Sequence, residues 1–448
     1  MLKYSSRYAL NKQTLGIMTR NYKRMKRQNE ISLQTGDNAI NKLSHVKLSD
    51  EQLNLKESIL AFAREKLKNY NGTPSMYVIQ GDAGTGKSVV LNALFNDIQR
   101  LALHDKDEND VINSTRNYLV VNHPEMLKLY HRISKSFPYI SKSSLERPTS
   151  LINTLQKEKS QADIIIVDEA HLLSTSKDAF KRFYGENHLQ DLMELGKVLV
   201  VVYDDKQALR MGSYWEEDAA DGSSLSYFYN QLPKENKNWQ FLKQQFRVVA
   251  EPDMLEWIEQ LSTVGKILPF PKSVSQKHSN FDFRIWEDCG AMFSELKALN
   301  EKYGQCRMLA TYDFPYRLDG KDYFVTCGDS FKVRWDRYTP REQTPWSERE
   351  DTIDEVGSVY TIQGFDLNYA GVILGRSVGY NKETDRIELK PELYDDRAGF
   401  TKKKNIKNPE KVKHKIIMNS INVLLTRGVK GLYIYAYDAE LRERLTRC

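Results

Sequence analysis

The stretch VIQGDAGTGKSVVL, Val78–Leu91, constrains this chain's fold more than any other. Gly81, Gly84, Gly86, Lys87 and Ser88 stand in the spacing G-x-x-x-x-G-K-S. Glycines let successive N–H groups turn inward around phosphate oxygens, a lysine neutralises charge on the β/γ-phosphates, and the serine hydroxyl ligates magnesium. Such a loop needs a strand before it and a helix after it. Both are present: MYVIQG reads as a strand, and Leu91, Leu94, Phe95, Ile98 and Leu101 recur at helical spacing. Residues Gly81, Asp82, Ala83, Gly84, Thr85, Gly86, Lys87 and Ser88 are therefore expected to line a nucleoside-triphosphate site.

The apolar runs IIIV (Ile164–Val167) and VLVVVY (Val198–Tyr203) are far too short to span a bilayer. They read as strands buried on both faces of a parallel sheet. With NYLVVNH at Asn117–His123 they alternate with helical patterns, which implies right-handed crossovers. This first unit closes after Pro252–Gly265. Lys266–Gln276 carries two prolines and reads as a linker. A second set of strands follows at Phe281–Trp286, Cys306–Tyr312, Tyr369–Gly375 and Gly431–Tyr437, with no glycine-rich loop of its own. The expected organisation is an α/β chain with a basic N-terminal extension (1–45), a first domain (46–265), a linker (266–276) and a second domain (277–448). The charged stretch Asn381–Lys415 is expected to be a surface insertion.

The chain has 448 residues and a net charge of +6, which permits a polyanionic partner without demonstrating one. Lys3, Arg7, Lys12, Arg20, Lys23, Arg24, Lys26 and Arg27 crowd the N-terminus, either as a solvated tail or as a phosphate-contacting arm. None of the 4 cysteines forms a C-x-x-C pair, so neither zinc nor a redox motif is expected. Sparse cysteines and no apolar segment behind the basic N-terminus point to a reducing, cytoplasmic setting, with no membrane partner.

IIIVDEAH ends a buried strand with Asp168, able to hold magnesium, and Glu169, able to orient and deprotonate an attacking water. Two acids there are costly unless a cation or polar ligand meets them. YDDKQ ends the next strand, where Gln207 can sense the terminal phosphate or the water. Arg247 in LKQQFRV and Arg427 in NVLLTRG are the candidate cations for the γ-phosphate. Tyr214 and Trp215 are stacking candidates, although core packing is the more ordinary use of such residues. His171 is either a packed capping residue or a link from the acids to a bound strand. DRIELK, with Asp385, Glu388 and Lys390, has a nuclease-like spacing but no strand context, and reads as a solvated charge run.

Taken in order, GDAGTGKS, IIIVDEAH, YDDKQ, QQFR, VYTIQGFDLNYAGVILG and VLLTRGVKGLYIYAYD resemble a superfamily-one helicase motor. More closely the set is similar to the Schlafen-type DNA/RNA helicase domain family, taken here as a bacterial group, over roughly residues 45–448. The resemblance implies two RecA-like domains in tandem with ATP and Mg2+ between them. Lys87, Ser88, Asp168, Glu169 and Gln207 would form the site of the first domain. Arg247 and Arg427 would act on the γ-phosphate, Arg427 from across the cleft. Gln52 would read adenine, and Asp366 stands where a ribose-facing glutamate is usual. Thr361 and Gln363 would link nucleotide to nucleic acid, and Asn122 and His123 would touch a single strand.

These features imply an ATP-driven motor on single-stranded nucleic acid, DNA ahead of RNA. The alternative is a nucleotide-gated switch that recruits a protein partner, such as a nuclease or defence subunit. The short spacer between His123 and Asp163 favours the switch, because it leaves no room for a large strand-separating subdomain. A metabolic kinase would leave Arg427 and YTIQGFDL unexplained.

Overall fold

A computed structural model of the chain describes residues 47–447 except Ala83, 104–106, 180–181, 217–223, 243–247, 276–279, 318, 338, 340–341, 343 and 402–405. The basic N-terminal run and Arg247 lie outside the described residues.

The first sheet is built from β1 (Ser75–Gly81), β2 (Asn117–Val121), β3 (Leu145–Glu146), β4 (Ala162–Asp168), β5 (Gly196–Tyr203) and β6 (Lys237–Leu242). Its order is β3-β2-β4-β5-β1-β6 and every pairing is parallel. The central strands β1, β4 and β5 are buried along almost their whole length, which is why they read as unbroken apolar runs. Parallel pairing puts all their C-terminal ends on one edge, where ligands of open α/β sheets bind. Helix α1 (Asp50–Lys68) precedes the sheet, α2 (Lys87–Leu103) follows the loop, and α3 (Pro124–Ile133) follows β2. Val90, Leu91, Leu94, Phe95 and Ile98 line the buried face of α2.

The second sheet holds β7 (Asp282–Ile285), β8 (Cys306–Ala310), β9 (Phe324–Cys327), β10 (Phe331–Trp335), β11 (Glu355–Gly357), β12 (Leu367–Leu374) and β15 (Gly428–Ala436). Its order is β7-β15-β12-β8-β11-β10-β9, parallel except for the β9–β10 pair. The two RecA-like units are thus α/β layers built on mainly parallel sheets.

Two segments differ from expectation. Asn381–Lys415 is not wholly a surface insertion. β13 (Val378–Asn381) and β14 (Arg386–Leu389) form a hairpin, and the helix Pro409–Leu425 begins inside the charged stretch, burying Val412, Ile416, Ile417 and Ile421. The DRIELK segment therefore does have strand context. Lys266–Gln276 is tied down as far as its described residues go. Lys266 bridges Arg386, Leu268 accepts from Trp257 Nε1 at 3.2 Å, and Ser273 bonds Asp253.

One hydrophobic cluster runs through both units. It joins Val90, Leu91 and Met126 of the first to Val359, Ile362, Ile421 and Leu424 of the second. The cleft between the sheets is closed on this shared core.

Candidate active site

The loop after β1 turns at Gly84 (φ +85°) and Gly86 (φ +77°), a region other residues enter only at a cost. Gly81 answers a different need. A Cβ there would stand 2.9 Å from Thr85 Oγ1 and 3.1 Å from Leu242 Cβ. Thr85 Oγ1 closes the turn by donating to Asp82 O at 3.0 Å. Lys87 is buried, donates to the carbonyls of Gly81 (2.6 Å) and Asp82 (2.8 Å), and lies 3.5 Å from Asp204 Oδ2.

β4 delivers Asp168 and Glu169 to the same edge. Ser88 Oγ donates to Asp168 Oδ2 at 3.2 Å, the Tyr130 hydroxyl donates to the same oxygen, and Glu169 N donates to Oδ1 at 3.0 Å. Glu169 sits at φ +51°, a left-handed conformation costing a non-glycine residue roughly 1–3 kcal/mol. Burial, and then the Glu169 charge, push Asp168 above the usual carboxylate range. Burial would raise Glu169 too, but His171, with Lys87 and Arg427, outweighs it and holds Glu169 low and ionised. A hydroxyl and a carboxylate from a buried acid pair form an all-oxygen donor set that suits a hard divalent cation such as Mg2+.

Asp204 and Gln207 lie in the short turn that follows β5. Gln207 Nε2 donates to Asp204 Oδ2 at 2.6 Å, so Asp204 joins Gln207 to Lys87. The second unit then reaches in. Gln363 Nε2 donates to Gln207 O at 3.0 Å and lies 3.2 Å from His171 Nε2, which is itself 3.0 Å from Glu169 Oε2. Arg427 is fully buried. Its Nε donates to Val423 O at 2.7 Å and its Nη1 to Phe365 O at 3.3 Å, and its charge acts on Glu169.

The remaining expected residues have the following places. Gln52 closes a capping box at the start of α1, its Oε1 accepting from Ser49 N at 3.0 Å. Asp366 is half-buried in the turn that enters β12, beside Phe365. Asn122 donates to Leu172 O at 2.6 Å. His123 is buried as the N-cap of α3, accepting from Met126 N, with Nε2 3.2 Å from Tyr360 O of the second unit. Thr361 donates to Asp336 and completes a capping box with Ser358. Ala83 and Arg247 fall outside the described residues. Trp215 is a core residue, its Nε1 donating to Ala170 O, and Tyr214 packs half-buried beside Met211. Asp385 pairs with Arg444 at 2.7 Å, and no cluster of three metal-ligating side chains occurs among the described residues. Tyr130 is a site residue that lies outside every motif, and Asp204 lies within YDDKQ without a role expected for it.

Phosphate loop, acid pair and buried arginine, brought together between two mainly parallel sheets, define a P-loop NTPase-like protein of the helicase type. Residues 74–438 match the family described as Schlafen group 3, DNA/RNA helicase domain, and the chain belongs to that family. It is similar to the uncharacterized protein YPL245W of Saccharomyces cerevisiae, at 69% identity over 420 residues, covering 91% of this chain and 92% of the yeast protein. A relative from yeast at that identity removes the support for a bacterial restriction. Among solved structures, the Pif1 helicase from Bacteroides in complex with ADP-AlF3 and ssDNA is similar at 11% identity and a TM-score of 0.28, over 87% of this chain and 92% of that one. PCH-2 of C. elegans is similar at 14% identity and a TM-score of 0.23, over 50% and 52% of the two chains. No helix among the described residues is long and apolar enough to cross a membrane.

Proposed function

We propose that this chain hydrolyses ATP between its two units and uses their closure to move along single-stranded nucleic acid, DNA ahead of RNA. The observation that carries the reading is the buried contact path from Glu169 past His171 and Gln363 to the Gln207 carbonyl. His171 Nε2 lies 3.0 Å from Glu169 Oε2 and 3.2 Å from Gln363 Nε2, which donates to Gln207 O, so the acid and the backbone of the sensing residue in the first unit both meet a glutamine of the second.

In this reading each residue has a role. Lys87 neutralises the β/γ-phosphates, and Ser88 with Asp168 would hold Mg2+, which supplies charge stabilisation to the phosphates when bound. Glu169, kept ionised, orients and deprotonates water. Gln207 reads the terminal phosphate and passes its state to Gln363. Arg427, with Arg247, stabilises charge developing on the γ-phosphate. Gln52 and Asp366 hold the base and ribose. Thr361 and Gln363 couple this site to the strand beside Asn122 and His123. The boundaries at 45, 265 and 276 separate the extension, the two domains and the segment between them.

ATPase turnover of the full chain should rise with single-stranded oligonucleotides and vanish in Lys87→Ala. Turnover that stays flat across DNA and RNA panels would reject the motor. A second reading, a nucleotide-gated switch that recruits a protein partner, is favoured by the extent of the shared core. It predicts ATP hydrolysis without displacement of a strand from a tailed duplex.

A further inference from the structure

Helix α3 touches both halves of the molecule within ten residues. His123 caps it and meets Tyr360 O of the second unit. Met126 packs at Gly364, Lys128 Nζ reaches Thr339 O at 3.5 Å, and Arg132 pairs with Glu348 at 2.7 Å. Between these anchors, buried Tyr130 turns its hydroxyl the other way, onto Asp168 Oδ2. The Asp168 carboxylate accepts from Glu169 N on one oxygen and from Ser88 and Tyr130 on the other.

A buried phenol needs a hydrogen-bond partner. This one uses the carboxylate that the proposed function assigns to magnesium. Ser88 has a second task there as a metal donor. Tyr130 has none, so its hydroxyl stays on the carboxylate when Ser88 turns to the ion.

We propose that Tyr130 is a positioning residue that holds the Asp168 carboxylate in the orientation a magnesium ion shared with Ser88 requires. The inference rests on the ATP-hydrolysing reading above. Outer partners of metal ligands typically matter by 10- to 100-fold in metal affinity. The helix carrying Tyr130 is gripped by the second unit at four points, so the phenol is fixed more rigidly than a loop residue would be.

The test is Mg2+ titration of mant-ATP binding to the full chain, followed by fluorescence, for wild type and Tyr130→Phe. The expected result is a Mg2+ midpoint raised about tenfold in the variant, with nucleotide binding in EDTA unchanged. A purely structural phenol would lower the unfolding temperature and leave the midpoint in place, and that result overturns the inference. Should Tyr130→Phe not fold, 3-fluorotyrosine at position 130 keeps the shape and strengthens the donor. It is expected to lower the midpoint, and an unchanged midpoint again overturns the role. Wild type without any Mg2+-dependent binding would bring down the proposed function itself, which separates the two failures.

Discussion

Gly364 offers a way to separate folding from closure. It follows Gln363 in the turn before β12, at φ +86°, and a Cβ there would stand 2.5 Å from Met126 Sδ and 3.0 Å from its Cγ. Gly364→Ala therefore incurs two costs of different kind. The left-handed backbone costs alanine roughly 1–2 kcal/mol, whether the units are open or closed, because that turn lies within the second unit. The overlap with Met126 costs roughly 1–3 kcal/mol and disappears when the units part. The first cost is read in stability. At about 2.1 cal per mol per kelvin per residue, 448 residues give roughly 1 °C of Tm per kcal/mol, so the shift is small, on the order of 1–2 °C. The second is read in closure, whose equilibrium constant falls about 5- to 150-fold at 1.36 kcal/mol per tenfold. Oligonucleotide-stimulated ATPase turnover should fall in proportion under the proposed function, in which Arg427 acts across the cleft only when the units are closed. Met126→Ala in the same chain removes the overlap but not the backbone cost. The double variant should therefore recover turnover relative to Gly364→Ala, with a Tm lower still because a buried core side chain is lost. Undiminished turnover in Gly364→Ala, or a double variant no more active than the single one, would refute this account of closure.

Two further outcomes follow from the buried groups. Arg427→Lys keeps the charge but cannot bond Val423 O and Phe365 O together, so turnover should fall about a thousandfold while mant-ATP binding barely changes; parallel losses in both would return the arginine to a structural role. Burial pushes the His123 imidazole down to about 4, against the attraction of Glu169 and alongside the repulsion of Arg210 and His171. Its unfolded value is near 6.5, so the unfolded chain binds the proton first as pH falls. Stability present above about pH 6.5 is then lost towards pH 4, by up to roughly 3 kcal/mol. His123→Asn keeps the helix cap and should flatten Tm against pH over that window; identical curves would show that His123 is not held neutral.

What the sequence made legible follows strand ends. Gly81–Ser88, Asp168, Glu169 and Gln207 each close an apolar run, and parallel pairing brings those ends to one edge without further information. Strands at the margins were not legible. β6 (KNWQFL) and β10 (FKVRW) carry charges or amides because they are only half covered, and β11 has three residues, one of them Glu355 held by Arg334 and Trp346. Tyr130 could not be read either. In PEMLKLYHRI it shares the buried face with Met126, Leu129 and Ile133, so its spacing marks it as core and conceals its hydroxyl's partner. The Asn381–Lys415 stretch misled because charge dominates its composition, while Asn408 and Pro409 already start a helix whose later turns are buried.

The interface between the units combines two kinds of contact that do different work. The shared apolar cluster supplies non-directional attraction, which alone would tolerate many relative positions. The polar ties are directional and buried. Asn419 Nδ2 donates to Asp205 O (3.2 Å) and Ala208 O (2.9 Å), Ser262 Oγ donates to Asn422 Oδ1 (3.1 Å), and Gln363 donates to Gln207 O. Three of these acceptors are carbonyls of Asp205–Ala208, the segment that directly follows the β5 edge of the site. Each tie left unmade in a dry interface costs about 1–3 kcal/mol, so a small shift of that segment forfeits several at once. Closure is thereby made sensitive to one short stretch carrying Gln207, the residue proposed to read the terminal phosphate. Tyr360 extends the same logic outward: its hydroxyl, held by the Asp396 carboxylate, lies 3.3 Å from Leu209 O, and Arg210 lies 4.2 Å over its ring. A change at Gln207 therefore reaches Tyr360 of the second unit within three residues of chain, the route by which the proposed hydrolysis would alter the proposed grip on a strand.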